Sequence, residues 1–289
     1  MKNYFVKLHG LGNEYIVFNE QEIGFKLTTQ AIQKICNVHY GIGSDGILLK
    51  IASSKADFGL RIFNPDGSEA EKSGNGIRIF SKYLFDNRFT SSNHFTIETL
   101  GGIVSSEIIE KINSKASLIK VDMGKANFNT SRIPVIFQKE ECFNELITIK
   151  DKEFLMHCVS VGNPHCTILK DTLDEKEIKE FGPLIENHPM FPNRINVQFA
   201  KVISPSLVEI LIWERGAGYT LASGSSSSAV ATVMVRKGLT NRDVTVKMPG
   251  GKLQLNVDEF WNIKMTGEAK EIATGTLSDE FVEDLKKII

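Results

Sequence analysis

Cysteine, tryptophan and proline are scarce in this 289-residue chain, at four, two and eight residues. Cys36, Cys142, Cys158 and Cys166 form no CxxC pair and no zinc-type spacing. That excludes a metal knuckle or a disulfide framework and leaves the reduced thiols of a cytoplasmic protein as the expectation. Long hydrophobic runs are missing too. No stretch approaches the roughly 18 apolar residues of a membrane span, and "MKNYFVKLHG" lacks the apolar segment of a signal peptide. Net charge is almost absent, −1 from 34 basic and 35 acidic side chains, so nothing points to nucleic acid or an anionic membrane as a partner. Low complexity is limited to the serine run 225–228, which is too short and too closely flanked by apolar residues to be a linker.

What is present is a globular composition, 42% hydrophobic and 24% charged, on a chain long enough for two domains. The chain also repeats itself. Gly12-Asn13 falls over Gly162-Asn163, Ile62-Phe63 over Ile212-Trp213, and Ser73-Gly74 over Ser223-Gly224, each at an offset of 150. "FTIETLGGI" (95–103) falls over "VTVKMPGGK" (244–252) at 149. Four matches in order imply a duplication and two similar domains, and only two copies exclude a solenoid. The pattern breaks near 114–134, and we place the halves at 1–118, with 273–289 returning to the first, and 119–272.

Each half reads as strands plus one central helix. "GILLKIA" and "FGLRIFN" have strand composition. After Gly74 the residues Ile77, Phe80 and Leu84 recur at helical spacing, and the run after Gly224 does likewise until Gly238. Near the C-terminus Ser278 is placed to cap a helix with acids in its first turn and lysines in its last, and Leu277 and Val282 to staple it.

"GIGSDG" (41–46) is a literal G-x-G-x-x-G, but a helix-like stretch precedes it and a strand-like one follows, the reverse of a dinucleotide site. It reads as a turn. The two Ser-Gly corners are better candidates. A helix N-terminus offers free N–H groups and partial positive charge to a carboxylate, and glycine permits close approach; the plain alternative is capping. Asn13, Asn64, Asn163 and Asn196 stand at strand ends or turns, where local backbone bonding is the ordinary role. Glu214-Arg215 offers a carboxylate for an ammonium and a fork for a carboxylate, or else a solvated pair. His165 is a site residue or a packed histidine.

Together "KLHGLGNEY", "FNPDGSEAEKSGNGIR", "SVGNPHCTI", "RINVQFA" and "WERGAGYTLASGSSSSA" resemble the diaminopimelate epimerase family, in order and across most of the chain. The resemblance implies an α/β (α+β) fold of two pseudo-symmetric domains, each a curled, mostly antiparallel sheet around a central helix, with the substrate between them. It implies interconversion of LL- and meso-diaminopimelate without pyridoxal phosphate or any other cofactor or metal, and a homodimer. Inverting a carbon calls for one acid–base group on each face, which a duplicated domain can supply. By resemblance those groups are cysteines; this chain has Ser73 and Ser223 there. A thiol can be tuned to a thiolate, whereas a serine hydroxyl is a far weaker acid that needs a strong adjacent base.

Loss of both thiols with four other cysteines kept reads as a deliberate Cys→Ser double substitution, and so as a chain that binds substrate with negligible turnover. A racemase for another amino acid such as histidine, or a naturally non-catalytic binding homologue, is the alternative. By resemblance Asn64, Asn163, Asn196, Glu214 and Arg215 read the distal end of the substrate. Asn13, Gly74, Asn75, Gly224 and Ser225 surround the reacting end, and His165 and Glu214 tune the two corners. Gly46 departs from the pattern, since some members have Gln there, and "GSSSS" departs from the more usual "GTG".

Overall fold

The computed structural model describes residues 2–288. It divides into two compact units, one running to Val121 and resuming at Gly267, the other Asp122–Thr266. The first unit therefore holds 119–121 and 267–272 as well, past the boundaries read at 118 and 272. The reason is strand pairing: Ile119 and Val121 pair with Ile108 and Ser106, while Lys270 and Glu271 pair with His9 and Leu8. A strand belongs with the sheet that satisfies its backbone.

Five α-helices stand among the described residues: α1 (Thr29–Cys36), α2 (Gly74–Asp86), α3 (Glu175–Glu186), α4 (Gly224–Arg236) and α5 (Asp279–Lys287). In the first unit, strand Tyr4–Gly10 turns through Leu11 and Gly12, both at positive φ, into antiparallel Asn13–Asn19. That strand lies parallel to Ile47–Ile51 after crossing over through α1, and Ile47–Ile51 pairs antiparallel with Phe58–Phe63. A second crossover, through α2, brings His94–Thr99 parallel to Phe58–Phe63, and Gly102–Ile112 follows antiparallel.

The second unit repeats this sequence of pairings. Lys152–Ser160 and Pro164–Leu169 are antiparallel; Pro164–Leu169 and Asn196–Ser204 are parallel across α3; Asn196–Ser204 and Leu207–Glu214 are antiparallel. Leu207–Glu214 and Asp243–Met248 are parallel across α4, with Gly251–Val257 antiparallel beyond. The order antiparallel, parallel, antiparallel, parallel, antiparallel is common to both, so the duplication extends to topology.

Each central helix is enclosed by its sheet. In α2 all residues from Gly74 to Leu84 are buried; in α4 the same holds from Ser226 to Met234. Polar groups on such helices need internal partners. Ser227, Ser228 and Thr232 return their hydroxyls to the carbonyls of Ser223, Gly224 and Ser228, each at 2.8 Å, and Ser81 does so to Ile77 at 2.7 Å. This back-bonding lets a serine-rich segment be a core helix. At the C-terminus Ser278 caps α5, and Leu277 and Val282 lie in one apolar cluster with Ile32 and Ile35 of α1.

Candidate active site

Both serine corners are built alike. Ser73 (φ −139°, ψ 116°) and Ser223 (φ −147°, ψ 126°) are extended residues immediately before α2 and α4. Each Oγ accepts the N–H three residues on, from Gly76 at 3.1 Å and from Ser226 at 3.3 Å. Capping is therefore realised at both. The helix-opening glycines, Gly74 and Gly224, keep side chains away from the first-turn N–H groups.

Around Ser73 the structure gathers Asn13, Asn75 and three residues not singled out from sequence. Asn13 donates to Asp45 Oδ2 at 3.0 Å and accepts from Asn75 Nδ2 at 3.2 Å. Asn75 Oδ1 accepts from Arg78 Nη2 at 2.8 Å, and Arg78 also donates to the Gly74 carbonyl at 3.3 Å. Arg78 is fully buried, and that burial alone lowers its pKa to about 10, so it stays charged at neutral pH. Tyr15 brings its hydroxyl to 3.4 Å from Ser73 Oγ. Asn64 stays in its own turn, donating to Ser68 Oγ at 2.9 Å, with no hydrogen bond to Asn13 or Asn75.

In the second unit a chain of bonds runs from Asn163 to the α4 corner. His165 Nε2–H donates to Asn163 Oδ1 at 2.8 Å, and Gln198 Nε2 donates to His165 Nδ1 at 3.0 Å and to Ser226 Oγ at 3.1 Å. With both ring nitrogens engaged and no exposure, His165 is held neutral; burial, then the Arg215 charge, push its pKa down to about 3 against the Gln198 bond. It reaches the corner only through Gln198. Asn196 is likewise committed, donating to the Pro164 carbonyl at 2.8 Å and accepting the Arg215 N–H at 3.0 Å.

Glu214 ends its strand and Arg215 opens the turn that follows. Burial raises the Glu214 carboxyl pKa while the neighbouring Ser223 and Thr220 hydroxyls hold it back. Arg215 Nη1 donates to the Asn193 carbonyl at 2.9 Å. Their turn is pinned by buried Glu186, which accepts from Trp213 Nε1 at 2.7 Å and from the Gly216 N–H at 2.9 Å. Ser225 places its hydroxyl 3.3 Å from that of Ser223. Tyr15, Asp45, Arg78 and Gln198 stand inside motifs named above and Glu186 in none of them; that Arg78 and Glu186 are buried is shown only by the fold. No group of three or more His, Cys, Asp or Glu suited to a metal ion occurs among the described residues.

The fold is shared with solved structures of an epimerase and a probable racemase. A hydroxyproline epimerase from Agrobacterium vitis superposes with a TM-score of 0.70 at 12% identity, covering 95% of this chain and 90% of that one. A probable proline racemase from Agrobacterium radiobacter gives 0.69 at 13%, covering 96% and 93%. Sequence narrows the class. The diaminopimelate epimerase family matches residues 5–129 and 157–272. Diaminopimelate epimerase 2 of a Nostoc species is 50% identical over 277 residues, 96% of each chain, and the diaminopimelate epimerase of Acetivibrio thermocellus is 43% identical over 272, 94% of this chain and 97% of its own. The chain belongs to the diaminopimelate epimerase family, a family of isomerases.

Proposed function

We propose that this site is built for the interconversion of LL- and meso-diaminopimelate in lysine and peptidoglycan precursor synthesis, and that this chain, with serine at both corners, binds that substrate and turns it over negligibly. The observation that carries the reading is the twin corner: two serine-capped helix N-termini at equivalent places in two duplicated units. The first-turn N–H groups of α2, and separately those of α4, are donors of the kind that suits a substrate α-carboxylate, whose negative charge grows as the α-proton leaves. Two-base inversion requires one group for each face of the α-carbon, and each duplicated unit supplies one such corner.

Serine weakens only the proton transfer. Its hydroxyl is a poor acid, and each Oγ is already an acceptor for a helix N–H. Glu214 beside Ser223 is a weak base for so weak an acid. His165 serves as a positioning residue, holding Asn163 and, through Gln198, Ser226. Arg215 favours a substrate with a second carboxylate over a neutral side chain such as that of histidine, because a charge covered by substrate and left unmatched opposes binding.

Two measurements test this. Calorimetry on the chain as it stands should give saturable binding of diaminopimelate and none of histidine; the reverse preference would establish the racemase alternative. Deuterium incorporation at the α-carbon should rise at least about a hundredfold in S73C/S223C, the usual scale of a lost acid–base group. Equal exchange in both proteins refutes the view that the serines disable it. The genomic codons for 73 and 223 distinguish an engineered chain from a natural binding homologue.

A further inference from the structure

Gly46 is the last glycine of "GIGSDG". A Cβ built there would lie 2.7 Å from Tyr15 Cε1, 3.1 Å from Tyr15 Cδ1 and 2.4 Å from the Phe63 carbonyl oxygen. The backbone cannot retreat. The Gly46 carbonyl accepts from Ile16 N–H at 3.1 Å and from Ser44 Oγ at 2.7 Å, and its N–H donates to Ser44 Oγ at 3.2 Å. The ring of Tyr15 therefore occupies volume that any side chain at 46 would contest. Tyr15 is 6% exposed, so packing holds the ring and its hydroxyl is delivered to one place, 3.4 Å from Ser73 Oγ.

Hydroxyl counting gives this contact a chemical meaning. Ser73 Oγ has two lone pairs and one proton, and one lone pair already accepts the Gly76 N–H. One hydrogen bond between Ser73 and Tyr15 uses one of their two protons and leaves the other directed out of the pair. A phenol, with an ordinary pKa near 10, is also a much better donor to an anion than serine is.

We propose that Tyr15 is a positioning residue for the group at position 73: its hydroxyl orients the serine of this chain and, were a thiol there, would donate to the thiolate, with Gly46 supplying the room. The proposal builds on the epimerase reading of the Ser73 corner, but its test uses no substrate, so the two can fail separately. In S73C the introduced thiol is alkylated with iodoacetamide across pH and the peptide containing residue 73 is followed by mass spectrometry, the four resident cysteines being buried.

S73C/Y15F keeps the ring and removes only the donor. A thiolate that loses one hydrogen bond becomes harder to form. The apparent thiol pKa should rise by about one unit, and alkylation at pH values below it should slow about tenfold. Superimposable pH profiles for S73C and S73C/Y15F overturn the proposal, as does a lower pKa in the double variant. A ring that serves packing alone would shift the melting temperature without moving the pH profile.

Discussion

At Arg78 a positive charge is enclosed completely, and what it holds explains its presence. Its guanidinium ties the Gly74 carbonyl at the start of α2 to Asn75 Oδ1, and Asn75 passes the constraint to Asn13. Replacing it with a side chain of similar length and no polarity leaves Asn75 Oδ1 without that donor, at a cost of about 1–3 kcal/mol for a buried acceptor. R78M should therefore lower the urea midpoint and weaken diaminopimelate binding in calorimetry; an unchanged midpoint would show that the guanidinium carries no such load. In the sequence, Arg78 is one arginine in "GNGIR" and looks like any solvated cation. The asparagines were visible as candidates. Which of them keep a free end was not, since that depends on partners such as Arg215 and Pro164 brought in by strand pairing.

Helix ends carry the next level of the argument. Ser73 and Ser223 satisfy N–H groups that α2 and α4 would otherwise leave unpaired at buried ends. S73A and S223A should each lose about 1 kcal/mol of stability, and the amide protons of Gly76 and Ser226 should exchange faster. Exchange unaltered at those two amides would mean that the caps contribute nothing. Caps are local, and so Ser73, Ser223 and Ser278 could be recognised from neighbouring residues alone. The serine run 225–228 was recognisable only as unlike a linker. Its back-bonding onto preceding carbonyls follows from enclosure of α4 by a sheet assembled from distant segments.

Over the whole molecule, the two units share a pairing order, and the second carries a feature that responds to acid. His157 and His165 are both buried in the second unit, with pKa values pushed down to about 4 and about 3. Burial is the main cause in each, with Lys237 adding for His157 and Arg215 for His165. The unfolded chain takes up these protons below about pH 6.5, whereas the folded unit does so only near the depressed values. Stability from both is thus complete above about pH 6.5 and is lost as the pH falls through that window, by up to about 1.4 kcal/mol per pH unit for each histidine. His157 packs 4.7 Å from the Phe143 ring, which makes phenylalanine a reasonable replacement. Between pH 6.5 and 5 the urea midpoint should decline, and H157F should flatten that decline; a slope unmoved by H157F would exclude the histidine as its source.

The family, the duplication and the two serine corners were determined by the sequence itself, because each depends on short-range order: motifs a few residues long, repeated at one offset. Tertiary structure decided the rest. It set the neutral state of His165, the enclosure of Arg78, the clamp by Glu186, and the fit of Tyr15 into the space left at Gly46. Those features join residues that are remote along the chain, and their energies come from exclusion of water. Linear spacing does not record how much water a folded neighbourhood excludes.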